Sequence, residues 1–215
     1  TDVVKKDPKG AKLKDAAYAA VISWKNCLDI SDEGQDEAAK VKEDLKKKKQ
    51  ERKEAASATA KKDSKDKEED SFAPKPIPEK QQKMLEAFDT YIKYVPEAPE
   101  LVTIKYRRAR VYYEYNHIDK AIPLFKDIAE NYVKSELALY SANLLLDCLA
   151  IKINFEKEKA DDYIKQMEAQ VDKFAAIPDL TKDKDFEDQL KVLLTRGGLR
   201  VLSVNAGSGS CAKSY

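Results

Sequence analysis

The sequence predicts an all-α protein, on three observations. Only 6 glycines stand among 215 residues while Ala, Lys, Glu and Leu are frequent, the composition of helices rather than of strand-rich folds with many turns. Apolar side chains recur at helical spacing in segment after segment, with no candidate strand between them. Some of these segments also resemble one another at a fixed offset, as stacked units do.

The first helix is predicted over about Lys12 to Asp29, where Leu13, Ala16/Ala17, Ala20/Val21, Trp24 and Cys27/Leu28 share a face. Met84/Leu85, Phe88, Tyr91/Ile92 and Val95 mark a second, which "VPEAPE" stops with two prolines. A third runs from about Leu101 to Tyr115 through Ile104, Ala109, Tyr112 and Tyr113, and "NHID" then turns the chain. The fourth spans Lys120 to Tyr132 (Ala121/Ile122, Phe125, Ile128), and the fifth carries Leu137, Ser141, Leu144/Leu145, Cys148 and Ile151. A sixth takes Ala160, Tyr163/Ile164, Met167, Val171 and Phe174 and closes at Pro178; a seventh spans about Asp185 to Leu194.

One stretch breaks this regularity. Residues Ser31 to Lys80 hold 14 basic and 14 acidic residues but only four large apolar ones, Val41, Leu45, Phe72 and Ile77. Such a segment buries too little surface to offset its ordering entropy, so it is predicted to protrude into solvent. Its first part, free of Pro and Gly from Asp36 to about Ala60, suits an exposed helix supported by Glu/Lys pairs. The later "KKDSKDKEEDSFAPKPIPE" suits an extended or mobile chain.

Aligning "MLEAFDTYIKYVPEAPE" with "AIPLFKDIAENYVKSEL" puts Met84 on Ala121, Phe88 on Phe125 and Tyr94-Val95-Pro96 on Asn131-Tyr132-Val133, an offset of 37 residues. Ala109 and Ala142 stand 33 apart, each a small residue where the two helices of one unit can approach closely. The stretch "YRRARVYYEYNHIDKAIPLFKDIAENYVKSELALYSA" thereby resembles a tetratricopeptide repeat. Ala109, Tyr112, Ala121 and Phe125 occupy the family's Ala, Tyr, Ala and Phe positions; the family's proline at the end of the second helix is Val133 here, with Pro96 and Pro178 at comparable ends of neighbouring units. The match covers about Lys80 to Asp179.

The resemblance implies a right-handed α-solenoid of antiparallel helix pairs, about three repeats plus a C-terminal helix. Residues 1–179 would form the repeat domain, with 31–80 inserted between the two helices of the first repeat; 180–203 would cap it, and 204–215, "NAGSGSCAKSY" with the residue before it, would be a disordered tail. Insertion follows because the helix carrying Phe88 needs a first partner and Leu13 to Leu28, whose "YAAVISW" resembles "YSANLLL", is the only one upstream. Loop closure grows only logarithmically with length, which makes so long an insertion tolerable. An independent N-terminal helix on a linker is the competing organisation.

Function is expected to be binding. First helices of such pairs line a concave groove where the family holds extended peptides or partner helices. Carried over, the groove residues are Thr103, Tyr106, Arg107, Arg110 and Tyr113 in the second unit and Glu136, Leu139, Asn143 and Leu146 in the third. Arg beside Tyr suits a carboxylate or a main chain lying across aromatic faces. Asn143 resembles one element of the family's carboxylate clamp, whose lysines have no counterpart here. The expected partner is therefore a protein, unidentified, and the expected role a non-catalytic interaction scaffold. One alternative is an architectural subunit or fragment of a larger assembly. Another is single-stranded nucleic acid binding through the basic-aromatic helix Lys105 to Tyr115; 40 Lys+Arg against 39 Asp+Glu argue against it.

No catalytic residue, metal site or cofactor is expected. The single histidine, His117, sits in the "NHID" turn and reads as a solvated or capping residue; no phosphate loop or dinucleotide fingerprint occurs. Cys27, Cys148 and Cys211 lack metal-ligand spacing, and the first two read as small buried hydrophobes. No run of about 18 apolar residues suggests a membrane span. "AIPLFKDIAENY" followed by "SELALYSANLLLDCLA" is similar to tetratricopeptide proteins of the Gram-negative envelope, which implies a periplasmic or cell-envelope location with a leader removed before Thr1. A cytoplasmic scaffold is the alternative.

Overall fold

The computed structural model describes residues 6, 10–27 (backbone only for 25–27) and 73–194. Most of the charged stretch, the end of the expected capping segment and the expected tail lie outside the described residues. Within them the chain is all-helical: α1 Leu13–Cys27, α2 Glu79–Tyr94, α3 Leu101–Glu114, α4 Ile118–Asn131, α5 Glu136–Phe155, α6 Ala160–Ala175, α7 Pro178–Thr181 and α8 Lys184–Leu194. A 3-10 turn, Lys157–Lys159, joins α5 to α6. The chain divides into two compact units, residues 1–117 and 118–215.

In the first unit α1 packs on α2, and α2 on α3. Tyr18 of α1 meets Tyr91 of α2, with ring centroids 6.1 Å apart. Ala17 and Val21 of α1, Met84, Leu85, Phe88 and Tyr91 of α2 and Ile104 and Val111 of α3 share one core, with Trp24 and Ile77 packed against it. Removing this much apolar surface from water is the main source of the unit's stability. Arg108 of α3 reaches Asp89 of α2 at 2.6 Å.

Helix ends follow local chemistry. Glu79 opens α2 just after Pro78 and pairs with Lys83 one turn on at 2.7 Å; α2 closes at Val95, ahead of Pro96. Asn116, at φ 59, ends α3 in the left-handed region: its N–H donates to the Tyr113 carbonyl at 3.1 Å and the His117 N–H to the Tyr112 carbonyl at 2.8 Å. That is a Schellman closure with Asn where Gly is commonest, and it explains why "NHID" turns the chain without a glycine.

Tyr91 also gives this unit an alkaline sensitivity. Burial first, then the Glu100 carboxylate and Tyr18, push its phenol up to about 12. The folded state therefore holds that proton in a range where the unfolded chain releases it, and stability should fall as pH rises from about 10 to about 12, by about 2 kcal/mol. Urea titrations across that range should show a shallower pH slope for Tyr91→Phe than for the wild type.

In the second unit α5 packs against both α4 and α6, and α6 against α8. Lying between two helices, α5 is apolar on most sides: Ala138, Ala142, Leu144, Leu145, Leu146, Cys148, Leu149, Ile151 and Ile153 are all buried. Ser135 caps it, its Oγ accepting from the Leu137 N–H at 3.3 Å. α4 and α6 run parallel, since Lys173 reaches Glu130 at 2.8 Å near their C-terminal ends while their N-terminal ends meet at Lys152 of α5. Gln170 of α6, with its amide oriented to satisfy both ends, donates to Glu130 Oε1 at 3.1 Å and accepts from Lys126 Nζ at 3.3 Å.

Three features differ from the sequence expectation. The fifth helix runs on to Phe155, because Ile151 and Ile153 continue its buried surface. The segment after residue 180 is not one helix: α7 starts at Pro178 and covers Leu180, and Asp183 then caps α8, its carboxylate accepting from the Phe186 N–H at 2.9 Å. Residues 73–78 are non-helical, as their prolines predict, but they are tied to the turn after α3 through Lys75.

Candidate functional site

On α3 the expected groove residues separate by burial. Tyr106 and Tyr113 are buried, at 1% and 7% exposure, and serve the packing. Thr103, Arg107 and Arg110 are half-buried, and with exposed Glu114 they fall at i, i+4, i+7 and i+11, a single stripe along the helix. Arg110 Nε and Nη2 both donate to Glu114 Oε1, at 3.2 and 2.9 Å. Burial opposes the Arg110 charge, yet Tyr106 and Glu114 outweigh it and raise its pKa, so the guanidinium stays charged and oriented.

On α5 exposed Glu136 and half-buried Leu139 and Asn143 line the least buried stripe, whereas Leu146 is buried at 3%. Asn143 Nδ2 donates to the Leu139 carbonyl at 3.0 Å, a bond within the helix that takes one of the amide's two N–H donors. Tyr140 and Asp147, half-buried, complete the stripe at i+4 and i+11 from Glu136. Burial, then Glu136 and Asp183, hold the Tyr140 phenol above its ordinary value. The sequence reading omitted Tyr140, Asp147 and Glu114, although extending the same helical period by one turn reaches all three.

A third constellation had no counterpart in the sequence reading. Lys152, 7% exposed, projects from α5 to Asp119 of α4 at 2.5 Å and to Glu156 at the end of its own helix. Tyr163 of α6 donates to Glu156 Oε2 at 2.9 Å, and Lys152 Nζ lies 5.8 Å from the Tyr163 ring centroid. Burial works against the Lys152 charge, but its two carboxylates raise its pKa; the Lys152 hydrogen bond in turn lowers that of Glu156. Both charged forms are thus favoured over the range between the two groups' ordinary values, 4.5 and 10.5. Chemically the cluster is a satisfied ion-pair network fastening three helices.

His117 caps α3 through its backbone N–H, and its ring is engaged as well. Half-buried, it places Nε2 2.9 Å from the Lys75 carbonyl and sets its ring edge-on to Tyr112. Cys148 is buried and takes part in no disulfide. Among the described residues no group of three or more His, Cys, Asp or Glu side chains is placed to hold a metal ion, and no helix is long and apolar enough to cross a membrane. The chain matches no family model, and no curated protein and no solved structure is significantly similar to it.

Proposed function

We propose that this chain is a non-catalytic protein-binding scaffold of tetratricopeptide-like helix pairs, stacked as a right-handed solenoid, which holds an extended peptide or a partner helix on the open stripes of its first helices. The observation that carries the reading is the stripe on α3: Thr103, Arg107 and Arg110 stand together on a helix whose other faces are mostly buried. Arg110 is already fixed by Glu114, so little side-chain entropy remains to be lost when a carboxylate or main-chain carbonyl arrives. The packing of α1 directly against α2 supports the repeat organisation.

The same helix argues against nucleic acid. Of the four cations in Lys105 to Tyr115, Arg108 is paired with Asp89 and Arg110 with Glu114, so at least half of the basic charge is already compensated. Peptides selected from a displayed library on the wild type should lose affinity at least ~10-fold for Arg107→Ala with Arg110→Ala, at unchanged helicity by circular dichroism. Unchanged affinity would remove α3 from the proposal, and a salt-dependent shift with single-stranded RNA would replace the proposal with the nucleic-acid reading.

A further inference from the structure

The segment that leads from the charged stretch into α2 reads Ala73-Pro74-Lys75-Pro76-Ile77-Pro78, with a proline at every second position. Each of Ala73, Lys75 and Ile77 precedes a proline and is thereby restricted to extended conformations; Pro78 itself lies at φ −56, ψ 146. Alternation gives the two sets of residues different jobs. Every non-proline carbonyl meets a side-chain donor: Ala73 O accepts from Asn116 Nδ2 at 3.3 Å, Lys75 O from His117 Nε2 at 2.9 Å and Ile77 O from Gln82 Nε2 at 2.7 Å. The Lys75 N–H in turn donates to the Tyr115 carbonyl at 2.9 Å. The prolines stay exposed.

We propose that Ala73–Lys75 is a releasable strap, docked on the Tyr115–His117 turn through its main chain and able to detach without unfolding α2 or α3. Its residues are exposed, so hydrogen bonds are its main attachment, and each contributes little net of the water it replaces. Ile77, by contrast, is half-buried and packed against the core, and it is the hinge at which detachment stops. Prolines keep the free strap extended, which lowers the entropy cost of docking again. Release uncovers a turn that presents one acceptor, Tyr115 O, and two donors, Asn116 Nδ2 and His117 Nε2. The strap thereby governs access to that turn.

Lys75 carries the only backbone N–H between Pro74 and Pro76, which makes its hydrogen exchange a direct reading of the docked state. In the wild type the Lys75 amide should exchange at least ~10-fold more slowly than in a free peptide, yet at least ~100-fold faster than the amides of Phe88 and Ile104. Asn116→Gly with His117→Ala should abolish the Lys75 protection and leave those two core amides unchanged, while His117→Gln, which keeps a donor, should retain part of it. Exchange of Lys75 at the rate of the core amides would show that the strap opens only on unfolding, and would overturn the proposal. So would an unprotected Lys75 in the wild type, or core amides accelerated by the paired substitution. The wild-type comparison decides the question by itself if the paired variant does not fold.

Discussion

Replacing Phe125 with Ala should destabilise the second unit by about 3–5 kcal/mol, and Phe88→Ala should do the same to the first. Both rings are buried, at 0% and 1% exposure, so truncation loses the transfer free energy of the ring and leaves a cavity that the neighbouring helices fill only in part. Against a total stability of about 5–15 kcal/mol, such a loss is a large fraction of the whole. Trp24, the only tryptophan, packs against the core containing Phe88, so its fluorescence reports the first unit. Urea unfolding followed by that signal should show an early midpoint in Phe88→Ala. Circular dichroism should show one in Phe125→Ala, and a midpoint unmoved there would contradict the burial of its ring.

Lys152→Glu should be comparably damaging, at about 3–5 kcal/mol, while Lys152→Met should cost far less. Reversing the charge places a third carboxylate beside Asp119 and Glu156, and none of the three can then ionise without repulsion. Methionine keeps the volume of the buried stem and removes the need to desolvate an ammonium, although it leaves Glu156 with Tyr163 as its donor. Acid should partly rescue Lys152→Glu, because protonating the crowded carboxylates relieves them. The wild type should behave oppositely at both extremes. Its raised Lys152 pKa contributes stability below about 10.5 that is lost as pH climbs through the folded value, and its lowered Glu156 pKa contributes stability above about 4.5 that is lost as pH falls. Thermal melts of the three proteins at acid, neutral and alkaline pH test all of these signs.

How much of this was legible beforehand depended on whether a residue's role is local. Periodicity located α1 to α6 and α8 within a few residues, because one apolar stripe per helix is a property of the segment itself. It passed over α7, four residues long, and stopped α5 short, since "KINF" alternates polar with apolar residues and only the packing of Ile151 and Ile153 shows that the helix continues. On α3 it could not separate Tyr106 and Tyr113 from Arg107 and Arg110, because that difference depends on which neighbours close over a side chain. Lys152 was invisible for a related reason: lysine on a helix normally reads as solvent-facing, and its partners lie 33 residues before it and four after. The strap was legible only as a proline-rich connection. Its docking needs donors more than 40 residues away, which no local pattern encodes.

Cys148 adds a consequence of a different kind. Its sulfur is sealed at 0% exposure in the middle of α5, the helix that both α4 and α6 grip. An alkylating reagent must wait for that grip to loosen, so the pace of modification in a background lacking Cys27 and Cys211 becomes a clock for how often the middle of this unit breathes.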